Sequence, residues 1–246
     1  MSHLLDSFAR TWRAEAAGRD EDVLPSALAR ACAQVLCYDA AGLSLMSGPD
    51  ARVPLGASDE VAAVAERLQY TVGDGPCFAA MRTGRAVLVT EHEWEQQWPV
   101  LAEQHFARTP FRGGLSVPLR VDSARIGVLD LYLRRSRPLG GADVMEAQHI
   151  AAAVTDVLLD TLREHRDGPE HGAALGTWLD SAAARRRRQV WIATGMANLV
   201  LALPSDQALA VLRAHAYASE RTLDALADDV VTGRFDVAAL GTDQLR

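Results

Sequence analysis

Apolar positions recur at two different periods along the chain, and each change of period marks an element. Leu5, Phe8 and Trp12 fall at i, i+3 and i+7, one face of a helix. A second helix opens at Pro25 with Leu28, Ala31, Cys32 and Val35 inward; proline suits a first turn, where its missing N–H has no partner anyway. Residues 40–46 are short, apolar and followed by Gly48 and Pro49, which predicts a strand and a turn. Val61, Val64, Ala65 and Leu68 then give a helix, with Ser58 or Asp59 as its N-cap. Gly73, Gly75 and Pro76 open a further short helix that Gly84 can end, and residues 86–89 read as a strand. Acids at residues 91–95 sit in the first turn of the next helical stretch, which Trp98 and Pro99 interrupt. Leu115, Val117, Leu119 and Val121 alternate with polar residues and predict a half-buried strand. Residues 126–133 supply its hairpin partner, and Pro118, lacking an N–H, is expected to face no strand on its nitrogen side.

Helical period returns at 142–164, where Ala147, Ala151, Val154, Leu158 and Leu162 form one stripe, and Asp167, Gly168 and Pro169 break it. Three shorter stripes follow: Ile192, Met196, Leu199 and Leu203; Leu209, Leu212 and Ala216; and Leu223, Leu226, Ala227, Val230 and Val231 after Thr222. Short amphipathic helices must pack on one another to bury such faces. The expected organisation is an α+β domain of antiparallel sheet and flanking helices over residues 1–166, a linker at 167–172, and an all-α three-helix domain over 173–246.

Composition narrows the function classes. With 246 residues and 49% apolar content the chain can bury two cores. No apolar run reaches about 18 residues, and Asp6 interrupts what would be a signal peptide, so no membrane span and a cytoplasmic location are expected. Cys32, Cys37 and Cys77 fit neither a disulfide framework nor a zinc spacing. All 25 basic residues are arginine, which excludes a Walker-A lysine, a Schiff-base lysine and a kinase-type lysine. Gly-x-Ser-x-Gly, His-Glu-x-x-His and paired carboxylates are also missing, so neither an enzyme nor a metal or cofactor is expected.

The net charge of −7 falls in the first 172 residues; residues 173–246 balance eight arginines against eight acids. Half of those arginines are consecutive: Arg185, Arg186, Arg187 and Arg188 run straight into a helical pattern. Cations on a segment that must also pack suggest nucleic-acid binding, although neighbours lie about 100° apart on a helix and four cannot share one face. The competing reading is a solvated helix surface. Cys77 next to Pro76 is either a thiol activated by a helix N-terminus or a small buried hydrophobe. Asp130, alternating among apolar residues with Tyr132, either lines a ligand cavity or faces water.

These stretches, in order, resemble a known bacterial architecture, a GAF sensor domain followed by an ANTAR antitermination domain. The GAF likeness rests on residues 72–80 (VGDGPCFAA), 98–99 (WP), 114–120 (GLSVPLR) and 127–132 (GVLDLY); the ANTAR likeness rests on 193–196 (ATGM), 207–213 (QALAVLR) and 221–227 (RTLDALA). The resemblance implies a signal-responsive regulator whose helical domain binds stem-loops in nascent RNA and prevents a terminator from forming. Arg185 to Arg188, Arg213 and Arg221 are then expected on phosphates, with His215 and Tyr217 on loop bases. Thr194 stands where many family members carry a lysine, and the arginine run stands in for that charge. Cys77, Asp130 and Tyr132 are the expected sensing residues, for a small-molecule or redox signal. The expected partners are RNA stem-loops and a second copy paired through the 142–164 helix. Two alternatives stay open: a DNA-binding regulator, disfavoured by Asp224, Asp228 and Asp229 on its recognition helix, and a sensor with no nucleic-acid role.

Overall fold

A computed structural model describes residues 2–18, 23–46, 48, 51–167 and 177–242. Helices α1 (Ser2–Ala16) and α2 (Leu24–Val35) lead into strands β1 (Ala40–Met46) and β2 (Arg52–Ala57). Helices α3 (Glu60–Val72) and α4 (Pro76–Thr83), strand β3 (Val87–Thr90) and helices α5 (Glu91–Gln97) and α6 (Pro99–Arg108) follow. The β4 (Gly113–Val121) and β5 (Ala124–Leu133) hairpin precedes the long helix α7 (Gly141–Asp167). Most of the linker expected at 167–172 lies outside the described residues, beyond Asp167. Among the described residues, the helices α8 (Ala182–Leu201), α9 (Ser205–Ala218), α10 (Leu223–Val231) and α11 (Ala239–Thr242) come after it.

The five strands form one antiparallel sheet in the order β2-β1-β5-β4-β3. Helices α1, α2 and α7 cover one face, burying Phe8, Leu28, Leu43, Leu115, Leu129 and Ile150 among others. Helices α3 and α4 lie across the other face. The expected alternation in β4 is overruled, because Gly113 to Leu119 are all buried: helices cover both faces, so its polar residues are interior too. Pro118 pairs opposite Val128 on one side and lies past the end of β3, whose ladder stops at Ser116, on the other. The caps follow their chemistry. Asp59, not Ser58, accepts the Ala62 N–H at the start of α3. Thr90 and Glu93 exchange side-chain and backbone bonds in a capping box on α5.

Two elements escape the periodicity. Strand β2 reads Arg-Val-Pro-Leu-Gly-Ala, too short and interrupted to show a period. At Gly56 an added Cβ would lie 2.5 Å from the Ser26 nitrogen, so β2 presses directly on the start of α2. Helix α11 is one turn long.

The helical segment does not form a core of its own. Its apolar residues share one cluster with Met46, Tyr70, Cys77, Phe78 and Val128 of the sheet domain. The predicted inward face of α8 is also rotated. Ile192 (50% exposed), Met196 and Leu199 (81% exposed) face outward, and Ala184, Arg187, Val190, Ala193 and Ala197 face inward. Small residues let α8 approach β2 and α10 closely, so backbone proximity chooses the alanine face over the larger side chains.

Candidate functional site

A polar core lies between the sheet and α3, α4 and α8. The inner face of α3 carries Glu66 and Gln69 one and four residues after Ala65, so helical spacing aims both at the sheet. Pairing brings Ser44, Ser116 and Asp130 into neighbouring registers on β1, β4 and β5. Arg52, fully buried, projects from β2 into their midst. Its Nε donates to Ser44 Oγ at 3.1 Å, Nη1 to Cys77 Sγ at 2.8 Å and Nη2 to Asp130 Oδ2 at 3.0 Å. Glu66 Oε1 lies 3.3 Å from Nε. Ser116 Oγ donates to the other Asp130 oxygen at 2.5 Å, and Gln69 bridges the Tyr132 hydroxyl and the Cys77 backbone N–H. Each of the three Arg52 guanidinium nitrogens thus meets an acceptor, as burial of the charge demands.

Cys77, Asp130 and Tyr132, the residues expected to sense, all belong to this core. Their chemistry differs from the activated-thiol expectation. Burial pushes the Cys77 thiol well above its ordinary value, outweighing Arg52 beside it and the helix N-terminus. A protonated, fully buried thiol is inert, which corrects the reactive reading in this conformation. Burial likewise raises Asp130 against the pull of Arg52, and raises Tyr132.

The arginine run divides. Arg185, Arg186 and Arg188 are exposed, with Arg185 and Arg188 turning back to Asp180. Arg187 is fully buried, which corrects its expected place on a phosphate. Nη2 donates to both Glu66 oxygens at 3.1 and 3.2 Å, and Nη1 to the Arg52 carbonyl at 2.8 Å. Nε points to Asp224 Oδ1 at 3.4 Å, and the guanidinium lies 3.3 Å from the Tyr70 ring centroid. Two arginines pull Glu66 below the usual carboxylate range despite burial, whereas burial wins at Asp224 and raises it. Asp224 is therefore buried rather than exposed; of the three acids assigned to a DNA-facing surface, Asp228 is exposed and Asp229 half-buried. Both of those pair with arginines: Asp228 with Arg234, and Asp229 with Arg221 and Arg234.

The remaining predicted contacts do not share one surface. Arg213 donates to the Tyr70 carbonyl at 3.1 Å, and the Tyr217 hydroxyl donates to Glu103 at 2.9 Å, both turned towards the sheet domain. His215 packs on Phe235, Arg221 pairs with Asp229, and Thr194 donates to the Val190 carbonyl. Alongside Arg187, a cavity of about 270 Å³ opens between β2, α3 and the start of α8, reaching Glu66 and Asp224. Among the described residues, no group of His, Cys, Asp and Glu could hold a metal ion, and no single helix is long and apolar enough to cross a membrane.

Arg52, Glu66 and Gln69 were not picked out from sequence, and Asp224 was read only as an exposed acid. For Glu66 and Gln69 a signal existed, since they share the buried helical phase of Ala62 and Ala65. Arg52 carried none, because nothing around it marked a strand.

Three solved structures are similar to this chain. The GAF domain of an Acinetobacter phosphoenolpyruvate-protein phosphotransferase is 14% identical with a TM-score of 0.47, covering 68% of this chain and 98% of its own. The corresponding domain from Coxiella burnetii is 11% identical with a TM-score of 0.49, covering 66% and 96%. Free methionine-R-sulfoxide reductase from Neisseria meningitidis, solved with its substrate, is 16% identical with a TM-score of 0.44, covering 66% and 92%. No curated protein matches the chain. Residues 19–158, more than half of the sequence, match the GAF domain family and hold the whole sheet, and so this chain belongs to that family.

Proposed function

We propose that this protein is a cytoplasmic, signal-responsive regulator whose GAF domain senses a small molecule and whose helical segment binds RNA stem-loops to prevent transcription termination. A GAF domain points to small-molecule sensing. The observation that carries the coupling is the seam itself: Arg187, Arg213 and Tyr217 of the helical segment are each held by residues of the sheet domain. A change in the GAF core therefore alters which cations the helices present. Arg185, Arg186 and Arg188 stay in solvent and supply the initial phosphate contacts. In this reading the ANTAR likeness of residues 193–227 supplies the RNA class, no catalysis is assigned, and two copies associate to engage paired stem-loops.

Filter binding at matched salt tests it, with an RNA hairpin against duplex DNA. Hairpin affinity should exceed that for DNA and fall with salt, and replacing Arg185, Arg186 and Arg188 by alanine should reduce the log–log salt slope by up to about three. Preference for duplex DNA would support a DNA-binding regulator, and no binding to either would leave a sensor alone.

A further inference from the structure

Arg187 is bound in the manner of a ligand. One carboxylate takes it through two hydrogen bonds, a backbone carbonyl takes a third, a second carboxylate sits at its Nε and an aromatic ring covers its face. That combination of planar acceptors and a π surface selects guanidinium over ammonium. The site is also incompletely used. Asp224 is 4% exposed, its Oδ1 is reached only at 3.4 Å, and its Oδ2 has no hydrogen-bond partner. Within the buried network, Glu66, Asp130 and Asp224 face two guanidiniums, Arg52 and Arg187. Buried carboxylate oxygens without donors are costly, so the seam retains capacity for another cationic donor.

Access exists at the same place. The seam cavity of about 270 Å³ is lined by Glu66, Arg187 and Asp224, and Arg186 and Arg67 stand at the same wall. Arg67 is paired with Glu60, whereas Arg186 is exposed and has no ion pair among the described residues. The volume lies below the roughly 300–1,000 Å³ of drug-sized sites, which suits a metabolite of a few heavy-atom groups.

We propose that Glu66 and Asp224 form a binding site for a small guanidino acid, which enters through the seam cavity, takes the place of Arg187 and sets its carboxylate against Arg186. Occupation releases Arg187 and with it the hold of the GAF domain on α8. The inference rests on the sensing part of the proposed function and names its ligand class, while its test contains no RNA. A failure of RNA binding thus leaves it standing, and its own failure leaves RNA binding standing.

The probe is L-arginine, with L-citrulline as the uncharged isostere and agmatine as the analogue without a carboxylate. Each is titrated calorimetrically into the full chain at constant ionic strength, with amide exchange followed over residues 64–71 and 223–227. L-Arginine should bind with millimolar affinity and speed exchange at both segments, agmatine should bind more weakly and citrulline not at all. Removing the internal competitor with Arg187→Ala should tighten L-arginine binding about tenfold or more, because the competent state is then fully populated. Asp224→Asn should weaken it. Equal binding of citrulline, no binding of L-arginine to the wild-type chain, or binding that leaves the seam's exchange unchanged would each overturn the proposal. The wild-type titration decides the matter alone if Arg187→Ala does not fold.

Discussion

Arg52 shows how one residue can hold a core together without being apolar. It links β2 to β1, α4 and β5 through Ser44, Cys77 and Asp130, and its removal leaves Glu66 and Asp130 buried without their shared counter-charge. Arg52→Met should cost about 3–5 kcal/mol in a urea titration, the usual penalty for breaking a buried pair on one side. Changing Asp130 to Leu in the same chain should recover part of that loss, since both charges are then gone. His105 makes the opposite case. It is fully buried against Trp94, neither ring nitrogen has a partner, and burial, helped by Arg112, lowers its pKa from 6.5 to about 3. The folded state therefore favours the neutral ring. Its contribution is complete above about pH 6.5 and declines as pH falls from there towards about 3, with a slope of at most about 1.4 kcal/mol per pH unit. His105→Phe should flatten the stability profile between about pH 6.5 and 5 in denaturant titrations; an unchanged slope would assign it to other groups.

At the scale of elements, local chemistry was the most legible layer. Proline and glycine positions marked α2, α4 and the end of α4 correctly, and alternation found β4, with β5 read as its hairpin partner. The capping box on α5 is testable on its own: Thr90→Ala removes an acceptor for the Glu93 N–H and should lower stability by about 1 kcal/mol, a fall in Tm of about 2–4 °C by calorimetry. Burial phase was less legible where two layers compete for one helix. In α8 the large side chains Ile192, Met196 and Leu199 defined a stripe, yet the face of Ala184, Arg187, Val190, Ala193 and Ala197 packs instead, because Arg187 is held inside by ion pairs and the alanines allow close approach to β2 and α10. Strand β2 was invisible because what fixes it is a tertiary contact, the close approach of Gly56 to Pro25 and Ser26. Gly56→Ala should therefore displace the start of α2 and cost about 1–3 kcal/mol, read as lost amide protection over residues 24–28.

For the whole molecule, the sequence divides into a sheet domain and a helical segment, and the structure fuses them. Residues 19–158 are a GAF domain, and the three expected helices, α8 to α10, follow it, with the one-turn α11 beyond them. What periodicity and charge could not show is that Arg187 points inward. A run of four arginines reads as a surface, and only the position of Glu66, 121 residues away in sequence, turns one of them into a structural ion pair. The same applies to Asp224, read as solvated and found beneath α8. The seam thus joins the residues expected to sense with those expected to bind RNA.

The central claim is that the GAF domain restrains, through this seam, the helices proposed to bind RNA, and Glu66→Gln tests it without altering any residue proposed to touch RNA. The substitution keeps the side chain's shape but removes the charge that holds Arg187, a charge-assisted bond worth about 1.5–3 kcal/mol. Affinity for an RNA hairpin, measured by filter binding in parallel with amide exchange over residues 223–227, should rise about tenfold as exchange there quickens. An unchanged or weaker affinity alongside the same increase in exchange would contradict the account, because the seam would then open without releasing anything that binds RNA.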